Sequence, residues 1–163
     1  MSLLPWFNSE RKIFFSGSLP LLDYTKLIPI SNLRTWQKEE PASTEEIERL
    51  QQQSLNPLPL DYVEFLQFSN GAYGELPVQP YWCELFSASE VIQCNQDYEV
   101  FQQLPGFFAI GSSGGGALIL IGTETDTEKV FFIPVLFDGP EDLGVVANTF
   151  LEFVLMLGQK SSD

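Results

Sequence analysis

The sequence predicts an α+β fold: a single domain built on a mainly antiparallel, twisted sheet with about four helices packed around it. Three observations carry that expectation. Capping boxes recur at Ser43-Thr-Glu-Glu46, Ser87-Ala-Ser-Glu90 and Thr149-Phe-Leu-Glu152, each ahead of an apolar pattern of helical period. Runs rich in β-branched and aromatic residues fill the gaps between them. The resulting order of helix, helix, strand, helix, several strands and helix is that of helices packed on one sheet. At 163 residues the chain fits one domain, and its fourteen Phe supply ample core material.

In order, residues 1–41 read as an N-terminal extension packed on the domain. Within it Lys12-Ile-Phe-Phe15 is a candidate short strand, and Leu21 to Leu27 a candidate short helix closed by Pro29. The domain proper is expected over 42–158, with 159–163 as a tail. Its first helix follows Ser43, with Ile47 and Leu50 inward. Asn56-Pro57 closes the connection to a second helix, which starts at Leu58-Pro59 because proline suits a first helical turn. Tyr62, Phe65, Leu66 and Ser69 share its inner face, while Asp61, Glu64 and Gln67 point away. Asn70-Gly71 is its expected left-handed stop, and Tyr73-Gly74 a turn. A helix after Ser87 offers Val91, Cys94 or Asn95, Tyr98 and Phe101 as inner positions. Strands are expected at 82–86, 107–110, 117–121 and 129–137, where Pro134 implies an edge or a bulge. The last helix carries Phe150, Phe153, Val154 and Leu157 on one stripe and stops at Gly158.

Several apparent chemical motifs fail on their context. Gly111-Ser-Ser-Gly-Gly115 spells a nucleophile elbow, but a strand-like run follows it and the chain has no histidine to act as base. The same glycines lack the Gly-Lys-Ser/Thr ending of a phosphate loop and do not open a helix. They read as a hairpin loop. Glu124, Asp126 and Glu128 alternate, so an extended segment would turn all three carboxylates one way, yet the pattern of a calcium loop is absent. Cys83 and Cys94 form no CxxC pair, and zinc is not expected. No catalytic residue and no cofactor is assigned. No leader or membrane-length apolar run is seen, so a cytoplasmic protein is expected, its two thiols small core residues.

Charge is the strongest compositional signal. The net charge is −14, and residues 51–159 hold fourteen acids against Lys129 alone. Such a field repels nucleic acid and anionic membranes and attracts basic partners, though simple solubility would explain it equally well.

The wording Leu58-Pro-x-x-Tyr62-x-x-Phe65-Leu66-x-x-x-Asn70-Gly71 resembles the early helix of the SUKH superfamily. Glu46-Ile47 and Leu50, the Leu85-Phe86 strand leading into the Val91 helix, Phe108-Ala-Ile-Gly111 and Asn148-Thr-Phe-Leu-Glu-Phe153 follow in the order of that group. The turn Ser112-Ser113-Gly114 departs from it, since an acidic residue often stands there. The resemblance implies a non-enzymatic protein. Bacterial members are immunity proteins that neutralise a cognate toxin, frequently a nuclease, and fungal relatives regulate cell-wall synthesis. An acidic domain fits a nuclease well, because a polyanion-binding cleft is basic. The expectation is therefore a toxin or other basic protein as partner, with Trp82, Glu84, Glu124, Asp126 and Glu128 as candidate contacts. A regulatory scaffold of the same fold, or an enzyme of unknown type, are the alternatives.

Overall fold

A computed structural model describes residues 23–28, 35–54, 56–124 and 129–161. In chain order these form α1 (Tyr24–Leu27), β1 (Trp36–Lys38), α2 (Thr44–Gln53), α3 (Leu60–Phe68), β2 (Ala72–Glu75), β3 (Trp82–Leu85), α4 (Ala88–Asp97), α5 (Val100–Gln103), β4 (Phe107–Ser112), β5 (Ala117–Gly122), β6 (Val130–Pro134), β7 (Gly144–Ala147) and α6 (Phe150–Met156). The strands build one seven-stranded sheet in sequential order, every neighbouring pair antiparallel. This is the predicted α+β arrangement. The candidate strand at 12–15 lies outside the described residues.

The capping boxes form as the sequence implies at two of three places. Ser43 N–H donates to Glu46 Oε1 at 2.8 Å and Glu46 N–H returns to Ser43 Oγ at 3.1 Å. These bonds, backbone first, hold the Glu46 carboxyl below its usual range. Ser87 and Glu90 repeat the pair at 2.8 and 3.3 Å. At α6, Glu152 N–H bonds Thr149 Oγ1 at 2.9 Å, but its carboxylate reaches back to Asn148 N–H instead of Thr149.

Helix α3 departs from its expected pattern in two ways. Tyr62, Phe65 and Leu66 are buried as expected, but Glu64 is only 5% exposed. The cause is α1, whose Tyr24 ring stands edge-on to Phe65 at 5.4 Å and whose hydroxyl donates to the Asp61 carbonyl at 3.0 Å. Burial and the nearby Asp61 and Glu64 charges push that hydroxyl up. A one-helix pattern cannot reveal a second layer supplied by another segment. The stop also differs: the helix ends at Phe68, and Ser69 is extended (φ −151°, ψ 122°). Gly71 has φ +109°, yet its main service is close approach, because a Cβ there would sit 2.8 Å from the Leu85 carbonyl oxygen of β3.

Tyr73-Gly74, expected to turn, lies within β2. Gly74 faces Trp36 across the β1–β2 ladder, where an added Cβ would meet the Trp36 Cβ at 2.5 Å. The glycine therefore makes room for a core tryptophan. Pro134 sits in an interior strand, not at an edge, and the strand carries an irregularity of the expected bulge kind, where the β6–β7 register shifts between Val130 and Phe131. Val135 N–H donates to Gly116 on the β5 side, so the neighbouring Pro134 nitrogen faces β7, past the last registered pair Phe132–Gly144.

The sheet separates two buried clusters. Cys83, Leu85, Phe108, Ile110, Ile119, Ile121 and Val130 face Ile47 and Leu50 of α2, Phe65 of α3 and Phe153 of α6. On the opposite face, Ala109, Leu118, Leu120, Phe131 and Ile133 meet Cys94 of α4 and Val100 and Leu104 around α5. Helix α4 thus serves both, with Val91 in the first cluster and Cys94 in the second.

Gly71→Ala is expected to cost more than about 2 kcal/mol, from backbone strain plus the clash with β3. Gly116→Ala, where nothing lies within 4 Å of the new methyl, should stay within about 0.5 kcal/mol. Urea denaturation midpoints of the two variants check the contrast.

Candidate functional site

The second cluster covers the outer face of the sheet only over β4 to β6. Over β2 and β3 no helix among the described residues covers that face. Burial alternates along β3, so Cys83 and Leu85 enter the core while Trp82 and Glu84 point outward. The register sets Tyr73 opposite Glu84 and Glu75 opposite Trp82. Tyr73 and Trp82, diagonal neighbours, bring their rings to 6.2 Å and remain 43% and 38% exposed. Glu75 is paired with Lys160 at 3.9 Å, whereas no hydrogen bond or ion pair engages the Glu84 carboxylate among the described residues.

Beside this aromatic pair runs a groove of about 450 Å³ between α4 and the glycine-rich β4–β5 hairpin. Phe86, Cys94, Leu118 and Val135 give it an apolar floor, and Glu84, Glu90 and Asp97 stand along its rim. Gly114 closes the hairpin side, where an added Cβ would meet Trp82 Cδ1 at 3.3 Å. A second, more polar hollow of about 460 Å³ lies between β2 and the start of α4, and Glu84 and Glu90 also line it. The two carboxylates therefore form a ridge shared by both depressions. Among the described residues no Lys or Arg lines either one.

One side chain ties the helix that walls the groove to the sheet by hydrogen bonds. Beyond the end of β3, Asn95 takes the place of the next strand residue: its amide accepts from Ala109 N–H at 2.9 Å and donates to the Ala109 carbonyl at 2.7 Å. It also donates to Val91 O at 2.8 Å. Ala109 stands beside the bulge in β4, so its backbone groups would otherwise be buried without partners. Of the two open choices, Cys94 or Asn95, both are buried, with separate duties.

Neither thiol near the site is activated. Burial, and secondarily the Asp97 charge, push the Cys94 thiol up to about 11. Burial and Glu84 push Cys83 up as well. Neither is a thiolate at neutral pH, so neither is an activated nucleophile. Gly111 and Ser112 end β4 and Ser113 enters the hairpin, so the elbow-like motif is a strand-to-strand connection.

Of the five contacts expected from sequence, Trp82 and Glu84 stand together. Glu124 follows the far end of β5, beside Gly106, and is separated from Glu84 by the length of the β4–β5 ladder, roughly 17 Å. Asp126 and Glu128 lie outside the described residues. Tyr73, Asp97 and Tyr98 were missed. Tyr73 was hidden by its glycine neighbour, and Tyr98, expected inside, is 41% exposed because α4 ends at Asp97. Glu90, Gln93 and Asp97 at i, i+3 and i+7 were the signal for an acidic helix face.

Asn95→Ala should lower stability by about 2–4 kcal/mol, since two buried backbone groups lose their partner. Chemical denaturation and faster hydrogen exchange at Ala109 would show it.

Comparison with curated proteins finds no match. The family model described as SMI1 / KNR4 family (SUKH-1) matches residues 41–156, from the segment entering α2 to the last residue of α6. With the fold and this span in agreement, the chain belongs to the SMI1 / KNR4 family (SUKH-1).

Proposed function

We propose that the protein is a non-enzymatic binding domain, and that it acts as an immunity protein neutralising a cognate basic toxin, with a nuclease the best-fitting kind. The observation that carries this reading is the outer face of β2 and β3, which no helix among the described residues covers. There an exposed Tyr73–Trp82 pair stands beside the Glu84–Glu90 ridge, with no Lys or Arg among the described residues lining the adjoining depressions. Exposed aromatics are the usual anchors of protein interfaces, and an acidic rim steers a basic partner toward them. A nuclease presents such a partner surface, because its cleft must hold a polyanion. Membership of the SUKH-1 family is consistent with an immunity or regulatory protein-binding role. No helix among the described residues is long and apolar enough to cross a membrane, and a cytoplasmic setting completes the proposal. Glu124, Asp126 and Glu128 are proposed as a second acidic contact, of which Glu124 stands beyond the end of β5.

Affinity capture from host cells, including cells expressing neighbouring toxin genes, tests this at low and high salt. One basic protein should be retained and should elute as salt rises. Trp82→Ala with Glu84→Gln should weaken its binding at least about tenfold while leaving the denaturation midpoint unchanged. Loss of that protein's toxicity on co-expression marks immunity. Capture of a harmless endogenous basic protein marks the regulatory alternative. An acidic or salt-insensitive partner would refute the charge argument for both.

A further inference from the structure

The groove between α4 and the β4–β5 hairpin has the composition of a receptor for one kind of side chain. Its floor of Phe86, Cys94, Leu118 and Val135 is apolar, and its rim carries Glu84, Glu90 and Asp97. A fully apolar occupant would leave three carboxylates desolvated without compensation. An anionic occupant would be repelled. A metal ion is also excluded as the occupant, because no three of the described acidic or thiol side chains converge tightly enough to ligate one. A second copy of this acidic chain would bring its own net charge of −14 against the rim. A long basic side chain satisfies both parts of the groove at once, laying its methylenes on the apolar floor while its head reaches the carboxylates.

Resting on the protein-binding reading, we propose that this groove is the specificity pocket of the interface, and that it takes an extended partner segment carrying an arginine. The Glu84 carboxylate, unengaged within the described chain, is the acceptor for the guanidinium on the β3 side. Asp97 accepts on the helix side, where Gln93 Nε2 already donates to its Oδ1 at 2.8 Å and so fixes its direction. Glu90 has one carboxylate oxygen held by Ser87 N–H at 2.8 Å and presents the other to the rim. Arginine fits better than lysine because its planar fork can bond carboxylates from two directions while stacking on Phe86 or Tyr98. Trp82, adjoining the hairpin at Gly114, borders the groove and continues it onto the exposed aromatic pair.

The test uses the full chain and a labelled, end-blocked peptide of alternating leucine and arginine, followed by fluorescence anisotropy. A second peptide carries citrulline in place of arginine, which keeps the shape and removes the charge. The arginine peptide should bind with an affinity at least tenfold above that of the citrulline peptide. Glu84→Gln with Asp97→Asn should reduce that affinity about tenfold or more. Glu141→Gln with Asp142→Asn removes the same charge from the short 3-10 turn at Pro140–Asp142 and should change it less than twofold. Equal losses from the two double variants would show a diffuse charge effect and overturn the pocket. So would equal binding of the two peptides. If a basic partner is still captured through Trp82 while the Glu84/Asp97 variant binds it normally, the pocket fails and the protein-binding reading stands. If no basic protein is captured at all, that reading fails with it.

Discussion

The rest of the structure depends on the junction Ser69-Asn70-Gly71. Asn70 N–H donates to the Glu40 carbonyl at 2.9 Å, and its side-chain oxygen accepts from Ala88 N–H at 2.8 Å. Its amide nitrogen reaches Glu46 Oε2 at 3.4 Å. Ser69 Oγ accepts from Glu39 N–H at 2.9 Å and donates to the Gly71 carbonyl. Five backbone segments therefore converge there: the exit of β1, the start of α2, the end of α3, the entry to β2 and the first turn of α4. Ser69 lies at the buried end of this partly buried network, where a group left unpaired is costly. Gly71 then lets the chain pass against Leu85 of β3 with no side chain between them. The Asn-Gly wording shared with the SUKH family is thus an assembly joint. Its link to function is indirect: it orients β3 and α4, which carry Glu84, Glu90 and Asp97.

This explains what was legible in the sequence. Capping boxes are i to i+3 devices, so three helix starts could be read from four residues each. Long β-branched runs such as Ala117 to Ile121 are equally local. What escaped depends on residues brought together only by folding. The burial of Glu64 depends on Tyr24, and the strand character of Tyr73-Gly74 depends on Trp36. β1 and β7 are three and four residues long, too short to show a period before their neighbours are known.

The site divides along the same line. Trp82 and Glu84, both candidate contacts from sequence, share one face because strand alternation places them there. Tyr73, Asp97 and Tyr98 join them only through the β2–β3 register and the end of α4. The acidic excess was plain in composition, but composition does not show where charge meets aromatic surface. Among the described residues no helix covers one part of the outer sheet face, and there the aromatic pair and the carboxylate ridge adjoin. Glu124 carries the same sign of charge at the other end of the β4–β5 ladder, so equal charge does not imply one surface.

The central claim is that partners are held on this outer face and not on the helix-covered one. Hydrogen–deuterium exchange of the full chain with and without its captured partner tests it most directly. The account predicts new protection in residues 73–86, in the 112–118 hairpin and around Cys94–Tyr98, with α2, α3 and α6 unchanged. Protection confined to those three helices would contradict it.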